Sequence, residues 1–589
     1  MSAVESREKS PMVDPVNELG YRLQSALRAS FGDEAGSVVA DIHRSDYADY
    51  QSDVALGLAR RLRRAPREIA AAVVERLPPD AVLQAATVSE PGFINLTLRS
   101  EYLSSALGHM LADERFGIGL PAHPDTAVVD YSSPNLAKEM HVGHLRSTII
   151  GDSLARVLAF LGYHVVRRNH VGDWGTPFGM LIEHLFDERL AGRAASVPEL
   201  SNFYRAARVK FDSDPEFAER ARRRVVLLQS GDEKTLALWR QLIAVTIDYI
   251  DALYRRLDVL LTPDDIAAES NYNADLADVV NELESKGLAV ISDGAVCVFP
   301  PSFIRRDGAP LPLIVQKSDG GFGYAATDLA ALRYRLRTLG AKQVLYVVGT
   351  PQHQHLSMVF AVSRMAGWAD DKVRLEHVGF GSVLGPDKKM LKSRSGESIG
   401  LVELLDEGVE RARRLVDEKS PDLDERVRAA IAQAVGIGAI KYADLVNDRI
   451  KDYVFDWNRM LAFDGNTAPY LMYAHARICS ILSKAGAGGQ DDAPVHSVIG
   501  LDAPTERALA LELAQFPRVV QRTAETLKPH RLCQYLFELA TAFTAFYQAC
   551  PVLRAEEPVR SSRLALCMLT ARVLAKGLDL LGIAAPETM

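Results

Sequence analysis

The spacing of apolar residues predicts a strand–helix–strand unit in the middle of the chain. Residues 126–131 predict a strand, and a polar loop follows over residues 132–140. The next apolar residues recur with a period of 3.6, which predicts a helix ended by Gly162: Leu145, Ile149, Leu154, Val157, Leu158 and Leu161. Residues 164–171 predict a second strand, and this order is typical of the βαβ unit of a doubly wound parallel sheet.

The same sheet is expected to continue after an interruption. Residues 188–310 carry long charged helices and one strand at 294–299, which indicates an insertion within the α/β domain. Three later apolar runs predict the remaining strands of the sheet: 313–317, 343–348 and 374–384. From about residue 406 onward, repeated Ala and Leu stripes predict helices almost exclusively.

A mixture of helices and strands precedes the α/β domain. Residues 92–98 predict a strand, residues 99–113 predict a helix, and the stretch 117–125 contains the Gly and Pro residues of a linker. The sequence therefore predicts an α+β domain, an α/β domain with an insertion, and an all-helical domain: 1–118, 119–405 and 406–589.

The composition argues against several classes of protein. A net charge of −8 over 589 residues argues against a protein that coats nucleic acid without specificity. The five cysteines are scattered without a CxxC pair, which argues against a disulfide framework and a structural zinc and indicates a reducing compartment. The polar N-terminus does not look like a signal peptide, and no apolar run approaches the length of a membrane span. We therefore expect a cytoplasmic protein that does not cross a membrane.

One basic segment contrasts with the acidic balance of the chain. Five arginines stand just before an apolar helical run or at its start: Arg60, Arg61, Arg63, Arg64 and Arg67. Such a cluster is either the solvated face of a helix or a local surface for RNA, and the sequence alone leaves both interpretations open.

The first candidate for chemistry is His141-Val142-Gly143-His144, at the start of the predicted helix. A helix N-terminus offers unpaired N–H groups and a positive dipole end, which suit phosphate. Gly143 lets a ligand approach the backbone closely, and the two imidazoles can donate hydrogen bonds to phosphoryl oxygens. Taken alone, the motif is also open to interpretation as a metal-binding pair or as two surface histidines.

The second candidate is the loop of residues 388–396, which holds four cations and a glycine after a predicted strand. Mobile lysines of this kind can neutralise phosphate charge as pyrophosphate leaves, although an exposed basic loop is the simpler interpretation of this segment alone. Both candidates follow strands of one parallel sheet, so both can reach its carboxyl edge, where nucleotides bind in such folds. No GxxxxGK[ST] motif competes with this interpretation.

Together these segments resemble the HIGH and KMSKS signatures of class I aminoacyl-tRNA synthetases, in residues 141–144 and 389–393. Longer segments resemble those of the arginyl-tRNA synthetases in particular: 133–151, 169–176, 324–330, 441–444 and 464–477. The resemblance extends over nearly the whole chain. It implies an ATP-dependent arginine–tRNA ligase with a Rossmann-type catalytic domain, an N-terminal domain that binds the tRNA corner, and a helical anticodon-binding domain.

The resemblance also implies the ATP site and its chemistry. The residues expected to bind ATP are His141, Gly143, His144, Lys389, Lys392 and Ser393, and the histidines and lysines among them are expected to stabilise the pentavalent α-phosphorus. Arginine would attack the α-phosphorus of ATP·Mg²⁺, and the 2′-hydroxyl of the terminal adenosine of tRNA-Arg would then accept the arginyl group. No zinc and no covalent enzyme intermediate are expected.

The resemblance implies that Glu269 and Asp328 face the guanidinium group of arginine. It also implies that Tyr324 and Gln352 frame this group and that Asn135 holds the α-amino or carboxylate end. Carboxylates suit this substrate because a guanidinium is always charged and presents five donors in a planar fork. Without the resemblance, helix capping or surface ion pairs would be the simpler explanation of the two carboxylates.

The resemblance places anticodon-loop contacts at Tyr470, Tyr473, Arg477, Tyr547 and Met589. Few charges are needed there, because single-stranded bases are held by stacking and by hydrogen bonds to their edges. For the tyrosines, packing in the core is the alternative. We also expect a monomer, a role for the arginine cluster at the tRNA corner, and a requirement for bound tRNA before arginine is activated.

Three residues depart from the pattern of the family: Pro177, Pro351 and Leu391. They put in doubt the local backbone near the arginine pocket, and hence the efficiency of the enzyme, more than the reaction. Two alternatives stay open at this point. Lysine or glutamine enzymes of class I share the first signature, and a related protein could bind tRNA without a housekeeping function.

Overall fold

The computed structural model describes residues 14–136, 138–190, 196–391, 399–486 and 499–589. Its first part is an antiparallel sheet of four strands in the order β1-β2-β4-β3, accompanied by five helices. In chain order these elements are α1 Pro15–Phe31, α2 Asp33–Gly36, β1 Ile42–Arg44, β2 Tyr50–Ser52, α3 Val54–Leu62, α4 Pro66–Val74, β3 Leu83–Ser89, β4 Phe93–Leu98 and α5 Ser100–Ala112. The predicted strand 92–98 and helix 99–113 are β4 and α5.

The middle part contains the predicted βαβ unit. Its elements are β5 Thr126–Asp130, α6 Val142–Phe160, β6 His164–Arg168, α7 Thr176–Asp187, α8 Val197–Ser213, α9 Pro215–Ser230, α10 Glu233–Arg256, α11 Leu276–Ser285, β7 Ala289–Ser292, β8 Ala295–Val298, β9 Leu313–Gln316, α12 Tyr324–Arg337, β10 Gln343–Tyr346, α13 His353–Met365, β11 Arg374–His377 and β12 Val383–Leu384. Four of these strands form a parallel sheet in the order β11-β10-β5-β6. The prediction of an α/β domain built on a parallel sheet is therefore confirmed.

Two of the predicted strands are assigned differently by the structure. The run 313–317 is not part of the parallel sheet, because β9 pairs antiparallel with β8 in a separate sheet of the order β7-β8-β9. The run 374–384 is two strands, because the chain leaves the sheet after His377 and β12 pairs with residues 453–454. Gly381 permits this change of direction: a Cβ atom there would lie 2.8 Å from the carbonyl carbon of Lys451.

The last part is helical, as predicted, except for one short strand. Its elements are α14 Leu401–Lys419, α15 Glu425–Leu445, β13 Tyr453–Val454, α16 Trp457–Met460, α17 Ala468–Lys484, α18 Pro504–Leu513, α19 Phe516–Thr526, α20 His530–Ala549 and α21 Val559–Leu580. Within the described ranges, no helix combines the length and apolar character needed to cross a bilayer.

Helix α6 is buried along most of its length and connects the parallel sheet to the last helices. The Arg146 guanidinium lies 2.9 Å from the Asp444 carboxylate of α15, and the two side chains are 1% and 0% exposed. Farther along α6, the Ser153 hydroxyl donates to the Leu580 carbonyl of α21 at 3.0 Å. The position of α6 therefore depends on the helical part of the chain as well as on the sheet.

The first and last parts of the chain also contact each other directly. Arg507 of α18 donates two hydrogen bonds to the Asp49 carboxylate, at 2.6 and 3.1 Å. The same guanidinium donates to the Ser100 hydroxyl at 2.9 Å and to the Leu98 carbonyl at 2.7 Å. One arginine thus satisfies acceptors of three N-terminal residues.

The buried pair between α6 and α15 leads to a stability prediction. Asp444→Asn leaves the Arg146 charge buried without a counter-charge, so we expect the free energy of unfolding to fall by about 3–5 kcal/mol. The double variant Arg146→Met/Asp444→Leu removes both charges and should be less destabilised than Asp444→Asn. Thermal midpoints of the full chain measure both effects. The control is Glu407→Gln, which breaks a solvent-exposed pair with Arg411 and should change stability by less than about 1 kcal/mol. An equal loss in the control would contradict this prediction.

Candidate active site

The loop that follows β5 begins with two serines in the left-handed region of backbone space. Ser132 and Ser133 have φ angles of 70° and 47°, which are uncommon for residues with a Cβ atom. The Ser132 hydroxyl lies 2.5 Å from the Tyr254 hydroxyl and accepts from Thr148 at 2.9 Å. The Ser133 amide donates to the Asn169 side chain at 2.9 Å. This network holds the loop at the carboxyl end of β5, as the sequence predicted.

The predicted HVGH segment forms the N-terminus of α6. His141 is the N-cap residue, and its Nδ1 accepts from the Gly143 amide at 3.1 Å. In return, Nδ1 of His144 accepts from the His141 amide at 3.1 Å. The two rings lie 4.1 Å apart between centroids. Because each Nδ1 accepts a backbone hydrogen bond, Nε2 of each neutral ring carries the proton.

Both imidazoles are held in the neutral form. Burial lowers the pKa of His144 to about 3, and the neighbouring His141 and Lys138 add to this effect. Burial also lowers the pKa of His141, with a further contribution from Lys138. At neutral pH the N-terminus of α6 therefore presents two uncharged Nε2–H donors, whereas the amides of Val142, Gly143 and His144 already donate within the protein. Two such donors at the positive end of the helix dipole suit an incoming phosphate.

The lysine loop starts and ends at fixed positions. The Leu391 amide donates to the Val383 carbonyl at 3.1 Å, and Lys389 lies exposed just before it. On the far side of the loop, His141 and Gly400 form an antiparallel bridge, and the Leu401 amide donates to the Met140 carbonyl at 2.9 Å. Residues that follow the lysine loop thus contact the first signature directly. The predicted residues Lys392 and Ser393 lie outside the described residues.

A group of carboxylates lies near the ends of β5 and β6. Burial raises the pKa of Glu269 to about 7, and the negative charges of Asp173 and Asp328 raise it further. Asp173 is 2% exposed and accepts two hydrogen bonds from Ser270, at 2.5 and 3.0 Å. The three carboxyl groups thus influence one another, and a bound cation would favour the ionised form of Glu269.

Two histidines flank Asp328, and the sequence did not single them out. Nε2 of His355 lies 2.6 Å from one carboxylate oxygen, and Nε2 of His170 lies 4.0 Å from the other. His170 belongs to the segment 169–176, which resembles the family but for which no role of a single residue was predicted. His355 stands three residues after the predicted Gln352, and this closeness along the chain was the only available signal.

The other predicted arginine contacts lie at the surface of the same region. Tyr324 is 76% exposed at the start of α12, and Gln352 is exposed just before α13. Asn135 is exposed and pairs through its backbone with Gly172. A Cβ atom on Gly172 would lie 2.3 Å from the Asn135 side-chain oxygen, so a larger residue there would displace the Asn135 side chain.

The three departures from the family pattern fit the local backbone. Pro177 lies in the first turn of α7, where its fixed φ and missing N–H group are tolerated. Pro351 has the same place in the short 3₁₀ helix Thr350–Gln352. Leu391 is half-buried and packs against the core, so its apolar side chain has a structural role.

A separate cavity of about 670 Å³ lies between α17, α21 and the last residues. Three of the predicted tRNA contacts, Tyr473, Arg477 and Met589, line this cavity. Tyr547 lies next to it, with its ring 4.8 Å from the Arg477 guanidinium, whereas Tyr470 packs against Phe537. The five N-terminal arginines all lie on the surface: Arg60, Arg61, Arg63, Arg64 and Arg67.

Comparisons with known proteins agree with this geometry. The family model "tRNA synthetases class I (R), catalytic domain" matches residues 107–457. Models of an arginyl tRNA synthetase N-terminal domain and of the DALR anticodon binding domain match residues 17–98 and 471–589. A parallel sheet with HVGH at the N-terminus of α6, together with these matches, defines a class I aminoacyl-tRNA synthetase.

Similar proteins narrow the class to one amino acid. The chain is 54% identical to an arginine–tRNA ligase of Thermobifida fusca, with 98% of this chain and 100% of the relative covered. It is 50% identical to one of Frankia casuarinae, with 98% of each chain covered. A crystal structure of arginyl-tRNA synthetase from Plasmodium falciparum matches with a TM-score of 0.84 at 30% identity, covering 97% of this chain and 99% of that one. The chain belongs to the arginyl-tRNA synthetases, enzymes that ligate arginine to tRNA with ATP as a substrate. The alternative of a lysine or glutamine enzyme is thereby excluded.

His144 has two hydrogen-bonding groups: its Nδ1 accepts from the His141 amide, and its Nε2–H can donate to a ligand. A substitution can remove one of them and keep the other. Asparagine can replace Nδ1 as the acceptor of the His141 amide but has no donor at the position of Nε2. We therefore expect His144→Asn to lower kcat for arginine activation by about 10²–10³-fold while leaving the thermal midpoint unchanged. His144→Ala should lower both, because it also removes the acceptor. If ATP affinity fell in step with kcat in His144→Asn, the Nε2–H group would already act in the ground state. That result would contradict a role confined to the transition state.

Proposed function

We propose that the enzyme joins arginine to tRNA-Arg in two steps, as a cytoplasmic monomer that uses ATP together with Mg²⁺. We further propose that residues 1–118 bind the tRNA corner, residues 119–405 catalyse, and residues 406–589 bind the anticodon. The observation that carries the proposal is the arrangement at the N-terminus of α6. There, two neutral Nε2–H donors lie beside the residues that follow the lysine loop.

In the first step, a carboxylate oxygen of arginine attacks the α-phosphorus of ATP, and pyrophosphate leaves. His141 and His144 donate to phosphoryl oxygens as negative charge grows, and Gly143 gives the phosphate access to the helix N-terminus. Lys389, Lys392 and Ser393 are proposed to stabilise the leaving pyrophosphate, with Mg²⁺ arriving as part of the nucleotide substrate. Catalysis then rests on positioning and on donors aligned in advance.

Substrate recognition is proposed to rest on Glu269 and Asp328. The guanidinium of arginine supplies the missing positive charge, with Tyr324 and Gln352 beside it and Asn135 at the other end of the amino acid. Because the cation favours the ionised form of Glu269, binding of arginine releases a proton from this carboxyl group. Affinity for arginine should accordingly rise as the pH increases through about 7.

In the second step, the 2′-hydroxyl of the terminal adenosine takes the arginyl group from the adenylate, and AMP leaves. Anticodon recognition is proposed for the cavity lined by Tyr473, Arg477 and Met589, with Tyr547 behind Arg477. An exposed aromatic ring and a cation at the mouth of a cavity suit one unstacked base. Tyr470 has its packing partner within the protein, which supports a structural role for that residue.

The arginine pocket gives the first test of this proposal. Removing one partner of a buried charge pair typically costs roughly 3–5 kcal/mol. Asp328→Ala should therefore raise the KM for arginine at least about a hundredfold, with the KM for ATP nearly unchanged. Asp278→Ala, at an exposed carboxylate of α11, is the matched control and should leave both constants unaltered. An unchanged arginine KM in Asp328→Ala would remove this residue from the pocket.

The requirement for tRNA gives the second test. We expect ATP–pyrophosphate exchange with arginine to be silent in RNA-free enzyme and to appear when tRNA-Arg is added. Arg477→Gln should raise the tRNA concentration needed for half-maximal exchange by roughly tenfold, while Arg426→Gln at the exposed start of α15 should not. Strong exchange without tRNA would contradict the dependence of arginine activation on bound tRNA. Equal behaviour of the two arginine variants would contradict the proposal that the cavity binds the anticodon.

A further inference from the structure

The geometry around Asp328 gives this carboxylate a second partner besides the proposed substrate. His355 is the third residue of α13, and its Nε2 lies 2.6 Å from Oδ2 of Asp328 on α12. The two side chains are 33% and 21% exposed, so the pair forms part of a pocket wall and not of the core. A hydrogen bond this short between an imidazole and a carboxylate fixes the plane of the carboxyl group.

The other oxygen of Asp328 is left for a ligand. Oδ1 lies 4.0 Å from Nε2 of His170, which is too far for a hydrogen bond. The His170 ring is itself held near Tyr272, with 5.9 Å between ring centroids. The carboxylate therefore has one oxygen bound by His355 and one oxygen that faces His170 and can accept from a guanidinium.

We propose that His355 is a positioning residue of the arginine pocket, which orients Asp328 and serves as its counter-cation until arginine takes over that role. The inference rests on the proposed function, because it requires Asp328 to bind the substrate. When the guanidinium arrives beside Asp328, a proton leaves His355 for solvent. The neutral ring keeps its Nε2–H bond to Oδ2, so the orientation of the carboxylate is preserved while the competing charge is removed.

The surrounding charges agree with this exchange. The hydrogen bond to Asp328 raises the pKa of His355 despite burial. The titratable groups that face the pair are His170, Glu269 of the 3₁₀ helix Glu269–Asp275, and Tyr346 of β10. Behind Tyr346, Arg335 is neutralised by Asp130 at 2.7 Å. On the helix of His355 itself, His353 is paired with His377 at 3.0 Å. His170 is the other possible cation in this group, but its Nε2 lies 4.0 Å from Asp328, so His355 is the hydrogen-bonded partner.

Two variants separate orientation from charge. Glutamine at position 355 retains an N–H donor near the position of Nε2 but never carries a charge, whereas alanine removes the donor. His355→Ala should weaken arginine binding by about tenfold to a hundredfold across the pH range. His355→Gln should match the wild type at pH 8. At pH 5.5, about one unit below the ordinary pKa of histidine, it should bind arginine about tenfold more tightly than the wild type. A purely structural role would not make His355→Gln bind arginine more tightly than the wild type at low pH and equally at pH 8.

The measurement is calorimetric titration of arginine into the full-length enzyme at pH 5.5 and 8, in buffers of different ionisation enthalpy, which also counts released protons. His355→Gln should release about one proton fewer than the wild type at the lower pH. His353→Gln, on the same helix, is the matched control and should behave as the wild type. Thermal midpoints verify that each variant is folded.

Asp328→Ala in the same titration tests the proposed arginine pocket separately from the role of His355. If it weakens arginine binding while His355→Gln keeps the proton count and the pH dependence of the wild type, the counter-cation role is wrong and the proposed pocket stands. If Asp328→Ala binds arginine normally, the pocket itself is wrong, and the role of His355 fails with it. Loss of affinity in Asp328→Ala combined with the reversal in His355→Gln supports both.

Discussion

The buried pair of Arg146 and Asp444 is the constraint on which the catalytic geometry depends. Two opposite charges taken out of water must face each other closely, and removing either one leaves the other buried without its counter-charge. The pair therefore fixes α6 against α15 in both position and rotation. Because HVGH is the first turn of α6, this rotation decides where the two histidine donors point. The position of the proposed phosphate donors thus depends on an ion pair within the same helix.

The proposed arginine pocket uses charge in the opposite way. Asp328 has His355 as its partner, Glu269 lies near two other carboxylates, and the substrate is proposed to supply the remaining positive charge. Burial and the charges of Asp173 and Asp328 favour the protonated form of Glu269 in the empty site. A neutral amino acid of similar shape would supply no charge to ionise it, so charge itself would select against such a ligand. Lysine would supply the charge, but without the planar fork of donors.

Much of this could be predicted from the sequence, because its strongest signals are local. The periodic apolar residues predict the helix α6, which the structure has, and the HVGH segment at its start predicts a phosphate site that stays a prediction. The run 313–317 was assigned to the wrong sheet, since a short apolar strand reveals its burial but not its pairing partner. His355 was missed for a similar reason: its role arises from a contact with Asp328, 27 positions away, that no local pattern encodes.

The contact of Arg507 with the N-terminal domain has a consequence for the order in which the protein matures on the ribosome. Asp49 is buried, and its partner lies 458 positions later in the chain. At about 15 residues per second, roughly half a minute of synthesis separates the two. The nascent N-terminal domain therefore carries a carboxylate whose permanent counter-charge has not yet been made. Docking of that domain against α18 can be completed only after Arg507 has been synthesised.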